Sequence, residues 1–192
     1  MSFLHNNGII VRTLNTSSIF IDHSLHPFIY LSRIYNDNDK SIVEDNVLKP
    51  PEVYHGDPWS YSSDVYSFAM VAYELLTGFV PFNDIEPQQI PKHVQKGLRP
   101  KCLSVMPEPY QALISDCWSQ NPRERPTFEQ ILHALTNDAQ ILTDIDDTIF
   151  FEYVDYVEKY QIPTTSIDFQ YIDFPLETES KPLSQYIETL KY

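Results

Sequence analysis

The sequence predicts a mainly α domain with a few short strands at its start, followed by an acidic tail. Three observations predict it. Apolar residues recur at helical spacing in three segments between residues 61 and 135. Short β-branched runs lie within the first 31 residues. The charge then changes near Asn137: residues 137–192 hold 12 acids against three lysines, whereas residues 1–136 hold 15 acids and 10 bases. That shift marks a boundary between a domain, 1–136, and a tail, 137–192.

The elements follow in order. Residues 8–11, 18–21 and 28–31 are short apolar runs and read as strands. Residues 35–45 are polar and read as a loop, and Pro50-Pro51 argues against regular structure there. Ser62 and Ser63 offer N-cap hydroxyls to a first long helix, and Asp64 suits its first turn. Val65, Phe68, Ala69, Ala72 and Leu76 keep helical spacing, Val71, Tyr73 and Leu75 fill the other faces, and Gly78 stops the helix. A helix apolar nearly all round belongs at the centre of a domain.

A second helix fits Tyr110, Leu113, Ile114, Cys117 and Trp118. A third opens on a capping box, with Thr127 as cap and Gln130 reaching back, and buries Phe128, Ile131, Leu132 and Leu135. In the tail, Asp147 is placed to cap a helix over 147–160 carrying Ile149, Tyr153, Tyr156 and Tyr160 on one side. Beyond Pro163 the pattern assigns no regular structure, so part of the tail is expected to be disordered.

Composition removes several functions. A net charge of −14 disfavours a sequence-blind grip on nucleic acid or anionic lipid. Four scattered glycines leave no room for a glycine-rich phosphate cradle. Two cysteines cannot build a disulfide framework, and the six histidines lack ligand spacing, so no metal or cofactor is expected. The longest apolar stretch, 65–82, carries Glu74 near its middle, which favours a buried helix over a membrane span. No leader pattern opens the chain, and a cytoplasmic location is expected. Asp144, Asp146 and Thr148 resemble the DxDxT nucleophile motif of haloacid-dehalogenase-type phosphatases. A chance match in so acidic a tail is expected at about 0.1, and the residues that follow are too few for that fold, so they read as a linker or helix cap.

The order of motifs resembles the large lobe of eukaryotic protein kinases, in the tyrosine-kinase-like branch. Residues 61–68 (YSSDVYSF), Glu74 to Gly78 and Pro81-Phe82 resemble that lobe's central helix. Residues 97–100 (GLRP) and 117–128 (CWSQNPRERPTF) resemble its later helices, and residues 49–52 (KPPE) the end of its activation segment. The resemblance spans about residues 3–135. It implies that Glu52 and Arg125 form a buried ion pair holding the activation segment. It also implies that Asp64 braces the catalytic loop through backbone N–H groups, and that Arg12 is the loop arginine able to hold a phosphorylated segment.

The same resemblance places the family's catalytic positions on other residue types. Residues 11–18 (VRTLNTSS) stand at the catalytic loop. Thr13 stands at the base, Asn15 at the loop lysine, Ser18 at one metal ligand and Leu31 at the other. Only ten residues precede Val11, leaving no place for a small lobe. The expectation is therefore an inactive pseudokinase that is no enzyme, binds no cofactor and acts through a protein partner. The alternative is an active Ser/Thr or Tyr kinase represented by part of its chain, and a third reading is a truncated product without function. Ile9, Ile10, Ile19 and Ile21 are expected to need cover, from a partner or from the tail through Ile149, Phe150 and Phe151.

Overall fold

In the computed structural model the described residues are 1–21, 27–29, 49–102, 106–138, 141, 146–159 and 181–189. The expected loop at 35–45, the metal position Leu31, and Asp144 lie outside them. Eight α-helices and three short strands are described: α1 (Ser2–Asn6), β1 (Ile19–Ile21), β2 (Pro27–Ile29), α2 (Pro51–Tyr54), α3 (Tyr61–Thr77), α4 (Ile90–Gln95), α5 (Glu108–Cys117), α6 (Phe128–Asn137), α7 (Asp147–Lys159), β3 (Lys181–Pro182) and α8 (Leu183–Thr189). The fold is mainly α, with one three-stranded sheet.

The centre is α3. Its middle is buried from Ser63 through Tyr73 except at the partly buried Phe68, with Tyr66, Ala69 and Met70 fully enclosed. Its cap is Ser60 rather than Ser62 or Ser63: the Ser60 hydroxyl accepts from the Ser63 N–H, and the Ser63 hydroxyl accepts from the Ser60 N–H. The helix ends at Gly78, whose φ of 70° is the left-handed conformation that a side chain resists.

Helix α5 lays Tyr110, Ile114 and Cys117 against the core, and the Tyr110 hydroxyl donates to the Ala72 carbonyl of α3 at 3.0 Å. Helix α6 has the capping box at Thr127 and Gln130 and buries Phe128 and Ile131, but Leu132 is 40% exposed. The buried stripe is thus narrower than its spacing predicts.

Burial pushes the Cys117 thiol up to about 12, with the Asp116 carboxylate adding to the rise, while Cys102 is exposed. Because the thiolate is the nucleophile, iodoacetamide at pH 8 should label Cys102 in the folded chain and Cys117 only after denaturation. Peptide mass mapping of both states checks this.

Three further expectations about local structure change. Residues 8–11 form no strand, because the Val11 N–H is committed to a side chain of α3. Pro51 begins a helix: at the first helical position a missing N–H costs nothing. Asp146, not Asp147, caps α7, its Oδ1 accepting from the N–H groups of Thr148 and Ile149. That cap is what the Asp146 and Thr148 part of the DxDxT pattern does here.

The sheet has the order β2-β1-β3. Strand β1 pairs antiparallel with β2, Phe20 opposite Phe28 with their rings stacked at 5.8 Å. On its other edge it pairs with β3, Phe20 opposite Pro182 and Ile21 opposite Lys181. Chain beyond Pro163, where no structure is expected, therefore closes this edge of β1 at Phe20 and Ile21. Leu183 and Ile187 of α8 join the core. Of the α7 residues expected to supply cover only Phe150 is buried, while Ile149 and Phe151 are 65% and 49% exposed. Among the described residues no helix is long and apolar enough to cross a membrane.

Candidate functional site

Two buried carboxylates organise the end of the domain that holds residues 11–18. The first is Asp64, in the first turn of α3 and wholly buried. Its Oδ2 accepts from the Val11 N–H at 2.7 Å and its Oδ1 from the Arg12 N–H at 2.8 Å. His5 of α1 completes the set, with Nε2 at 3.0 Å from Oδ2. A carboxylate only accepts, so Nε2 carries the proton in this contact. The His5 ring lies between Tyr61, at 4.7 Å, and Phe128, at 5.0 Å.

Arg12 adopts a φ of 63°, in the left-handed region that costs a non-glycine residue energy. The strain has a visible counterpart, since two successive N–H groups converge on one carboxylate. Charge-assisted bonds of this kind are roughly twice as strong as neutral ones.

The second carboxylate is Glu52 in α2. Arg125, which follows the short 3-10 turn Pro122–Glu124, grips it with both terminal nitrogens, Nη1 to Oε1 at 2.7 Å and Nη2 to Oε2 at 2.8 Å. Arg125 also donates from Nε to the Ser119 carbonyl at 2.9 Å and from Nη1 to the Ser62 carbonyl at 2.9 Å. The Ser63 hydroxyl adds a bond to Glu52. One planar guanidinium therefore joins α2, the start of α3 and the turn after α5, a task a point-charge lysine cannot reproduce.

Two further residues belong to this site though their sequence context gave them no role. Tyr66 of α3 lies beneath the guanidinium groups of both Arg125 and Arg99, at 5.1 and 5.2 Å from its ring centre. Burial raises its phenol well above the usual tyrosine range. Arg99 also donates from Nε to the Trp118 carbonyl and from Nη2 to the Gln120 side chain. The available signal was the GLRP stretch, in which Arg99 lies between residues read only as a motif. His5 had no signal: its partner is 59 positions away.

Thr13, Asn15 and Ser18 are spent on holding their own loop. Thr13 Oγ1 donates to the Val11 carbonyl. Asn15 Oδ1 accepts from the N–H groups of Ser17 and Ser18, and its Nδ2 donates to the Thr13 carbonyl. The Ser18 hydroxyl donates to the Asn15 carbonyl and accepts from the Asn15 N–H. These residues do not fit a divalent cation, and no cluster of His, Cys, Asp or Glu suited to a metal exists among the described residues.

Known proteins share this arrangement of sequence. The family model for protein tyrosine and serine/threonine kinases matches residues 1–135. The probable serine/threonine-protein kinase gdt4 of Dictyostelium discoideum is 35% identical over 70% of this chain and 9% of its own length. Serine/threonine-protein kinase STY17 of Arabidopsis thaliana is 32% identical over 77% of this chain and 26% of its own. Mitogen-activated protein kinase kinase kinase 12 of Rattus norvegicus is 29% identical over 84% of this chain and 19% of its own. The chain thus spans about a quarter or less of the length of these relatives.

The expectation that the chain is no enzyme is overturned by these matches. The relatives carry the names of protein kinases, and the family match runs through residues 11–18, where Thr13, Asn15 and Ser18 stand. The residue types at those positions differ from those the resemblance implies, but the backbone of the loop they sit on is held by Asp64. The chain belongs to the protein tyrosine and serine/threonine kinase family.

Proposed function

We propose that this chain is the helical lobe of a serine/threonine kinase domain of the tyrosine-kinase-like branch, and that the protein carrying it phosphorylates protein hydroxyl groups with ATP. The observation that carries the reading is the Asp64 carboxylate bonded to the Val11 and Arg12 N–H groups, which fixes the loop at which a protein hydroxyl would be presented. The Glu52–Arg125 pair supports it by anchoring the segment that ends at Pro51. The kinase names of the relatives support the reaction class.

In the reaction the hydroxyl oxygen of serine or threonine bonds to the γ-phosphorus, and the bond from that phosphorus to the ADP oxygen breaks. The hydroxyl proton leaves to solvent, since Thr13 is no base near neutral pH. Phosphoryl transfer depends more on positioning and charge than on proton removal. A positioned general base still contributes about 10²–10⁴-fold, so Thr13→Asp is expected to accelerate transfer within about that range.

The test is phosphate incorporation from radiolabelled ATP into a generic protein substrate by the whole protein, with phosphoamino-acid analysis. Label on serine or threonine, rising in Thr13→Asp, is the expected result. No label above a heat-denatured control from either protein would contradict the proposal.

A further inference from the structure

We propose that residues 181–189 form an intramolecular latch that closes the free edge of β1 and ties down the loop at Thr16. Three kinds of contact among the described residues carry it. Strand β3 pairs with Phe20 and Ile21. Leu183 and Ile187 of α8 enter the core, Ile187 at 2% exposure. The Ser184 N–H donates to the Thr16 carbonyl at 3.1 Å. Thr16 is itself buried, and its hydroxyl donates to Glu74 Oε2 of α3 at 3.2 Å. The segment thus reaches α3 through the same loop that carries Thr13, Asn15 and Ser18.

The geometry makes this a latch rather than an integral layer. A two-residue strand and a seven-residue helix have no order of their own, since isolated helices need about 12–15 residues to be even marginal in water. Pro182 has no N–H and can only accept in the ladder. So short a segment opens at a lower free energy than the seventeen-residue α3 at the centre of the core. Its place on the same chain gives it a high effective concentration at β1, which favours closure over capture of another strand. Opening bares the unpaired β1 edge beside Ile19 and Ile21 and frees the Thr16 carbonyl. This reading stands apart from phosphoryl transfer, and its test needs no activity.

Hydrogen exchange by mass spectrometry on the full chain provides the test, comparing the native protein with Ile187→Asp and Ser184→Pro. Proline is tolerated in the first turn of α8, so Ser184→Pro removes the bond to Thr16 without burying a charge. Both variants are expected to raise exchange by at least about tenfold in peptides covering residues 181–189 and 19–21, leaving α3 and α5 unchanged. Excess synthetic peptide of residues 178–192 should restore protection of 19–21. Faster exchange in 181–189 alone would overturn the proposal, as would α3 and α5 rising together with them. Protection of 19–21 that depends on protein concentration would also overturn it, because a second copy would then supply the strand.

Discussion

Arg125→Ala is expected to lower stability by about 3–5 kcal/mol, the usual cost of leaving a buried charge without its partner. A domain holds only about 5–15 kcal/mol in total, so the loss takes a large share of the margin. The loss is large because the arginine side chain is fully buried and Glu52 is 10% exposed. Removing the guanidinium strands Glu52 and the carbonyls of Ser62 and Ser119 together. Arg125→Lys should recover part of the loss, since an ammonium keeps the charge but cannot make both carboxylate bonds. Arg99→Ala should cost less, because Arg99 has no carboxylate partner among its described bonds, which run to three carbonyls and the Gln120 side chain. Urea midpoints order the three variants; equal midpoints for Arg125→Ala and Arg99→Ala would show that the ion pair does not dominate.

Asp64→Asn should be nearly as damaging despite its equal size. All three described partners of Asp64 donate: the Val11 N–H, the Arg12 N–H and His5 Nε2. An amide presents one oxygen and one NH₂ group, so at least one donor must face another donor. An unmet buried donor costs about 1–3 kcal/mol, and the strained φ of Arg12 then loses what holds it. Denaturant unfolding measures the loss, and any phosphotransfer activity should fall further than stability does, because the loop is displaced in molecules that remain folded.

Features set by neighbouring residues are legible in the sequence, and features set by distant ones are not. The caps at Thr127 and Gly78 act within three or four residues, so spacing alone reveals them. In the run Ser60, Ser62, Ser63 the cap is ambiguous locally; the Ser63 hydroxyl also bonds Glu52, and that contact lies eleven positions away. Residues 8–11 look like a strand because they are β-branched, but a carboxylate 53 positions on takes the Val11 N–H. Strand β3 and α8 were invisible because their order comes from β1 and Thr16 rather than from their own pattern. At the candidate site the motifs located Glu52, Arg125 and Asp64. They gave no place to His5, Tyr66 or Arg99, whose contributions come from ring and carbonyl contacts that leave no spacing pattern.

The buried Asp64 carboxylate of α3 holds the loop at Val11 and Arg12 by two backbone N–H bonds. Nuclear magnetic resonance of the amides of Val11 and Arg12, in the native protein and in Asp64→Asn, reads those bonds. Both amides should resonate far downfield and resist exchange in the native protein, and both should lose these properties in the variant while the amides of Ala69 and Met70 keep theirs. Native Val11 and Arg12 amides that exchange as fast as an open loop would contradict this.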